Sequence, residues 1–185
     1  MSATDLASPP DRSPGSNAEV MRAAFRELHG GRLHGFALLL TVGDRPEAAR
    51  LASEALAAGA ARVDELRHPE RAAAWLRNRV VARARVGSTE RVDPRALLAL
   101  GVEESLVVAF GSLGRLERAA LIASTVERLD RRDVASIVGR EGSSLDRLLR
   151  RARERLIRAY SETAAEPPEG PIASHVQTLA RRAMG

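Results

Sequence analysis

The stretch DRRDVASIVGREGSSLDRLLRRARERLIRA, residues 130–159, carries the strongest structural signals in the chain. Asp130 suits the N-cap of a helix, and Asp133 places a second acid near the positive end of that helix. Gly139 is typical of the left-handed residue at which a helix ends. Between them lies the apolar side of a short helix, made of Val134, Ala135, Ile137 and Val138. The stretch therefore predicts a short helix that stops at a tight turn.

A second, longer helix is expected after this turn, with Ser143 or Ser144 as its N-cap. One face carries Arg147, Arg151 and Arg158 in a row. The opposite face is an apolar stripe with helical spacing, made of Leu145, Leu148, Leu149, Ala152, Leu156 and Ala159. A basic helix braced by a shorter one is typical of a helix-turn-helix that lies in the major groove of DNA. The other interpretation is a solvated, arginine-rich helix that binds no ligand.

Position along the long helix predicts which part of the DNA each side chain would contact. Residues near its start are expected to meet base edges: Ser143, Ser144, Asp146 and Arg147. Residues of the next turns are expected to meet phosphates: Arg150, Arg151 and Arg153.

Composition places the whole chain in the all-α class. Hydrophobic residues make up 44% of the 185 residues but aromatic residues only 3%, and good helix formers dominate without the alternation typical of strands. The 29 basic residues are all arginine, and they concentrate in residues 17–86 and 113–160 on either side of a short acidic connector. Two basic segments suit a polyanionic partner that is contacted at two places.

Helical periodicity and the glycine and proline positions predict two small helical domains joined by a linker. The predicted divisions are a disordered tail (1–16), a first domain (17–87), a linker (88–101), a second domain with the helix-turn-helix (102–160), and a flexible spacer with a short C-terminal helix (161–185). Within the first domain, Gly30-Gly31 is expected to separate two helices. Gly43-Asp44 is expected to form a turn and a cap, and Pro46 and Pro69 fit the first turns of two further helices.

The sequence shows no pattern of catalytic or metal-binding residues. The four histidines (29, 34, 68 and 175) lack ligand-like spacing, and there is no cysteine, glycine-rich phosphate loop or nucleophile elbow. No apolar stretch approaches the roughly 20 residues that a membrane span requires. We therefore expect a cytoplasmic protein that is not an enzyme and that needs no cofactor, metal or membrane.

Both predicted domains carry segments that resemble a known family. The segments of the second domain are LGRLERAAL at 113–121 and the ungapped run at 130–155. Those of the first domain are GDRPEAARLASE at 43–54 and PERAAAWL at 69–76. In their order and spacing these segments resemble the bacterial sigma factors of the extracytoplasmic-function type. The likeness covers about residues 18–159.

The resemblance implies a transcription initiation factor that binds core RNA polymerase and directs it to promoter double-stranded DNA. The second domain would read the −35 element. The first would dock on the polymerase clamp through Glu47, Arg50, Leu51, Ser53 and Glu54, and would contact the −10 region through Trp75, Arg77 and Asn78. The resemblance also implies control by an anti-sigma factor.

Departures from the family pattern leave two alternatives open. Arg50 and Ser53 stand where the family has an acid and a glutamine, Ala82 replaces a polar residue, and Asp146 replaces a usual lysine. One alternative is a sigma-derived DNA-binding regulator that does not open promoters. The other is a degenerate sigma that acts as a protein-interaction module and binds no DNA.

Overall fold

Helices make up all the regular structure of residues 14–84, 94–99 and 101–164, the parts of the chain that the computed structural model describes. The α-helices are α1 (Pro14–Leu40), α2 (Arg45–Ala60), α3 (Pro69–Arg83), α4 (Pro94–Leu98), α5 (Glu104–Gly111), α6 (Arg115–Leu121), α7 (Arg131–Val138) and α8 (Gly142–Thr163). A π-helical turn, Ile122–Val126, follows α6 directly. The predicted all-α class is confirmed.

α1 runs without interruption through Gly30 and Gly31, so the prediction of a helix break there is wrong. Neither glycine has a positive φ. Phe25 and Leu33, on either side of the pair, are both buried, so one face of α1 packs inward across the whole region. A glycine in a helix interior costs about 1 kcal/mol relative to alanine, and the burial of this face offsets that cost.

The turn from α1 to α2 confirms the predicted turn and cap at Gly43-Asp44. The Asp44 carboxylate accepts a hydrogen bond from the Glu47 backbone N–H at 3.0 Å, and Pro46 occupies the first turn of α2. Gly43 has φ 90°, and Val42 has φ 54° although it is β-branched, a conformation that is unusual for such a residue. The Val42 side chain is buried, so tertiary packing holds it in this conformation.

Several helix ends differ from those expected. α1 begins at Pro14, inside the predicted disordered tail, and α3 ends at Arg83 rather than near residue 87. α8 begins at Gly142 with Glu141 at its N-cap, so neither Ser143 nor Ser144 is the cap. Gly142 has φ 51°, and with Glu141 as the N-cap the helix starts two or three residues earlier than predicted. α8 also continues to Thr163, into the predicted spacer.

Other predictions fall on residues outside the described ranges. They are the tail at 1–13, residues 88–93 and 100 of the linker, and the spacer and C-terminal helix at 165–185.

A first unit (residues 14–84) and a second unit (residues 101–164) pack against each other. α1, α2 and α3 pack together in the first unit, whereas α8 packs on α5 and α6 in the second. α3 lies against α7, and α1 approaches α6. The buried side chains of the two units form one continuous hydrophobic cluster. The arrangement therefore fixes α8 relative to the first unit through α6 and α7.

Gly59 in α2 lies against side chains of both other helices of the first unit. A Cβ at this position would lie 2.8 and 2.9 Å from two atoms of the Phe25 ring and 3.0 Å from Leu76 Cδ2. At Gly31 a Cβ would meet nothing within 4 Å. The two glycines therefore have opposite steric requirements.

We expect Gly59→Ala to destabilise the protein by about 1–3 kcal/mol, because the buried Phe25 ring must move. Gly31→Ala is the matched control, and it should stabilise the protein by up to about 1 kcal/mol through helix propensity. Urea unfolding monitored by circular dichroism measures both. A loss of stability in Gly31→Ala would contradict the continuous α1.

Candidate nucleic-acid interface

α7 and α8 form where the sequence predicted a pair of helices. The Asp130 carboxylate accepts the Asp133 backbone N–H at 2.8 Å, and Gly139 ends α7 with φ 64°. The backbone N–H groups of Gly139 and Arg140 both donate to the Ala135 carbonyl, at 2.9 and 3.2 Å. These bonds satisfy orphan groups at both ends of α7. Both local predictions, the N-cap and the left-handed C-cap, are confirmed.

The apolar stripe of α8 faces the core, as its spacing predicted. Leu145, Ala152 and Leu156 are buried, and Tyr160 adds a hydrogen bond from its hydroxyl to Glu103 at 2.8 Å. Burial and this hydrogen bond raise the pKa of the Tyr160 hydroxyl. The other face of α8 is therefore turned to solvent. The predicted DNA contacts on that face are exposed at Ser143, Asp146, Arg147, Arg150, Arg151 and Arg153, and half-buried at Ser144.

An open groove runs between α8 and the start of α6, and half of its lining residues are arginine. Its five guanidinium side chains belong to Arg115, Arg140, Arg147, Arg151 and Arg155. Ser144 and Glu117 complete its polar lining. We call this feature the arginine groove. Five cations against one carboxylate give a surface suited to phosphate.

Glu117 holds one wall of the arginine groove in place. Its carboxylate accepts the Gly114 backbone N–H at 2.8 Å and a guanidinium N–H of Arg155 at 3.0 Å. Arg155 also donates to the Ser112 carbonyl at 3.1 Å. Glu117 therefore ties the start of α6 to α8 and neutralises one of the five cations.

Asp146, the acid on the predicted DNA face, is paired with Arg131 across the turn between α7 and α8. Arg131 donates to both carboxylate oxygens and also to the Gly142 carbonyl at 3.1 Å. The hydrogen bond from Arg131 lowers the pKa of Asp146. Both side chains are exposed, so the pair adds little to stability. Its effect is to offset the negative charge of Asp146 at the start of α8.

Two of the three residues expected at the −10 region, Arg77 and Asn78, are engaged between the units. The Arg77 guanidinium forms a bidentate ion pair with Glu127, in which both side chains are 5% exposed. The Asn78 amide donates to the carbonyls of Ser136 and Ile137 at 3.0 and 3.1 Å. In this arrangement neither side chain is presented to DNA.

Trp75, the third of these residues, is half-buried against the core. The guanidinium groups of Arg62 and Arg79 lie 5.6 and 5.5 Å from the centre of its ring. Such cation–π contacts hold the indole between charged neighbours. Trp75 therefore has the partly buried position that is typical of a helix-packing aromatic residue.

The residues expected to bind polymerase lie on α2, and all but Leu51 face outward. Arg50 donates to Glu47 at 2.6 and 2.7 Å and to Glu54 at 2.6 Å. Hydrogen bonds to these two acids raise the pKa of Arg50. Ser53 is exposed, whereas Leu51 is 1% exposed and lies in the core. The outer face of α2 thus presents a charge network with a net negative charge.

Comparisons with family models, with curated proteins and with solved structures find no match to this chain. Within the described residues, no three side chains of histidine, aspartate or glutamate come together as a metal site would require. None of the helices in those ranges is long and apolar enough to cross a bilayer.

Sequence reasoning missed three of the five arginines of the groove. Arg155 follows Arg147 and Arg151 at four-residue steps, so helical spacing alone could have added it to their face. Arg115 and Arg140 carry no such signal. They reach the groove only because α6 and the turn after α7 pack beside α8.

His29 lies in a cleft between the units, together with charged groups from several elements. The cleft is lined by Arg32 from α1, Glu70 and Arg77 from α3, Glu127 after the π-helical turn, and Asp133 from α7. Burial of the imidazole and repulsion from Arg77 lower the pKa of His29 below its ordinary value of 6.5. The folded protein therefore favours the neutral imidazole.

This shift predicts that stability falls as the pH drops below about 6.5, because the unfolded chain then binds a proton that the folded chain does not. At higher pH the imidazole is neutral in both states, so the effect disappears. Thermal unfolding of the wild type and of His29→Gln between about pH 8 and pH 5.5 measures it. The wild type should lose more stability than the variant, at most about 1.4 kcal/mol per pH unit for one proton. Equal losses would exclude His29 as the source.

Proposed function

We propose that this chain is a sigma-like transcription initiation factor that binds core RNA polymerase and directs it to promoter DNA. The observation that carries the proposal is the arginine groove beside α8, which sits next to the exposed residues of the helix that the sequence likeness assigns to the −35 element. A long helix with an exposed basic face, buried on its other side by shorter helices, suits the major groove. Such a factor acts in the cytoplasm and uses no cofactor.

In this proposal the second unit provides duplex DNA binding. Ser143, Ser144, Asp146 and Arg147 lie at the start of α8, where they would meet base edges. Arg150, Arg151 and Arg153 would contact phosphates. The groove adds Arg115 and Arg140 as further candidates for the phosphate backbone. Arg131 orients Asp146 and reduces its repulsion of DNA.

The first unit provides the polymerase contact. The exposed face of α2, with Glu47, Arg50, Ser53 and Glu54, would meet the clamp, and buried Leu51 would support that face from beneath. Because Arg50 is paired with two glutamates, its positive charge does not dominate the surface. An anti-sigma factor is the expected regulatory partner.

A sigma-derived regulator that binds DNA without opening promoters is the second candidate. The burial of Arg77 and the engagement of Asn78 favour it, because these side chains would otherwise serve strand opening. The third candidate, a protein-interaction module, predicts that the arginine groove binds no duplex.

DNA binding is tested with a random-sequence duplex over a range of salt concentrations. Affinity should fall steeply with salt, and Arg151→Ala with Arg153→Ala should reduce the log–log slope by about 1.8, roughly 0.9 for each phosphate that is no longer neutralised. Arg22→Ala with Arg26→Ala removes the same charge from the exposed part of α1 and should leave the slope near that of the wild type. If the wild type does not bind at low salt, both DNA-binding candidates are excluded.

Polymerase binding and initiation are tested with purified core enzyme and genomic DNA fragments as templates. The proposal expects retention on core enzyme and promoter-dependent transcripts. Ser53→Trp places a large side chain on the exposed face of α2 and should abolish retention, whereas Ala23→Trp, on exposed α1, should not. DNA binding without retention or transcripts would support the regulator instead.

A further inference from the structure

We propose that the polar contacts of α3 and its C-cap residue Ala84 with the second unit form a latch, a breakable set of contacts that holds the two units closed. The latch consists of the Arg77–Glu127 ion pair, the two hydrogen bonds from Asn78, and a hydrogen bond from Arg115 to the Ala84 carbonyl. Each joins the first unit to the second. Its opening would expose the face of α3 that carries Arg77 and Asn78.

The ion pair is the central element of the latch. The Arg77 guanidinium lies over the Phe36 ring, at 5.7 Å from its centre, and also donates to the Ala73 carbonyl at 2.9 Å. It is thus held rigidly on the first unit, and Glu127 is the group that would leave. Taking two charges out of water is costly, and their attraction offsets this cost only while both partners are in place. Because opening returns both charges to water, the ion pair contributes much less to closure than the attraction between its partners, and the apolar contacts of the continuous hydrophobic cluster supply the rest.

Asn78 supplies the second element of the latch. Ser136 and Ile137 lie in the last turn of α7, where helical carbonyls lack partners within their own helix. The Asn78 amide satisfies two of them in the closed arrangement. When the units separate, water can replace both bonds, so opening leaves no buried carbonyl unsatisfied.

The segment that presents Glu127 has the features of a movable element. It follows the π-helical turn at Ile122–Val126, and the next residue, Arg128, has φ 53° although it is not glycine. π-helical turns are frequent at functional sites, and strained left-handed non-glycine residues cluster at switch regions. The charged cleft at His29 borders the pair from one side and gives water access to it.

The closed arrangement separates the two DNA-binding surfaces. The predicted contacts of α8 stay largely exposed while Arg77 and Asn78 are engaged, so a closed molecule can hold duplex DNA with the second unit alone. In the closed form Arg115, which lines the arginine groove, also donates to the Ala84 carbonyl, and opening would free this N–H for a ligand of the groove. The inference that the latch prevents Arg77 and Asn78 from acting in strand opening rests on the proposed function. The existence of the latch does not.

The distance between the units tests the latch directly. The chain has no cysteine, so Ala57→Cys on α2 and Ser161→Cys on α8, both exposed, give two unique sites for fluorophores. Energy transfer in the full-length protein should show one short distance. Adding Glu127→Gln, which removes the charge but keeps the shape, should shift the population to longer distances. A label pair at Ala57→Cys and Arg71→Cys, within the first unit, should not change.

Glu65→Gln is the matched control. It removes the charge from the exposed Arg62–Glu65 ion pair, which lies within the first unit and is not part of the latch. It should leave the distance unchanged. Asn78→Ala is the second test variant, and it should also lengthen the distance between the labels at positions 57 and 161. If circular dichroism shows that Glu127→Gln is unfolded, Asn78→Ala alone tests the latch. Wild-type distances in both folded test variants would overturn the latch.

A transcription measurement then separates the latch from the proposed function. If the wild type gives transcripts, Glu127→Gln should raise the yield of promoter-open complexes by up to the reciprocal of the unlatched fraction of the wild type, about tenfold for a latched population near 90%. An unchanged yield with a lengthened distance would overturn the inhibitory role of the latch. If the wild type gives no transcripts, the proposed function fails and the distance measurement still decides the latch.

Discussion

Arg77 and Glu127, each only 5% exposed, form the ion pair that adds a directional constraint to the hydrophobic cluster between the two units. A guanidinium fork and a carboxylate bond well only when they lie in one plane, so the pair tolerates little displacement. Glu127 precedes α7, and α7 precedes α8. The Arg77–Glu127 ion pair, located just before the N-terminus of α7, therefore helps to set the orientation of the arginine groove relative to the first unit.

The sequence predicted a helix end correctly where a single residue determines the backbone conformation or the cap at that end. Asp44, Asp130 and Gly139 are such residues, because each supplies a cap or a left-handed conformation by itself. The Gly30-Gly31 prediction was wrong because burial along α1 outweighs the weak intrinsic preference of glycine. The N-cap of α8 was misplaced by two or three residues because the left-handed backbone of Gly142, rather than a serine side chain, accompanies the start of the helix.

The arginines of α8 could be assigned to a surface from helical spacing, since they lie on the same element as their apolar counterparts. The surroundings of Arg77 and Asn78 could not be predicted in this way. Their partners lie 50 to 59 residues further along the chain, and no periodic pattern connects them. Arg115 and Arg140 were missed for the same reason, because they join α8 only through the packing of separate helices.

The Glu117 carboxylate has two roles. It caps the start of α6 by accepting the Gly114 N–H, and it forms an ion pair with Arg155 of α8. An alanine at 117 would leave the Gly114 N–H and the Arg155 guanidinium without this partner, and a glutamine could still accept from the N–H but would lack the charge. Substitution at 155 alone would leave a nearly buried carboxylate without its cation. In related sequences positions 117 and 155 should therefore change together, as an acid with a base or as two neutral residues, while neighbouring arginines of the groove vary independently.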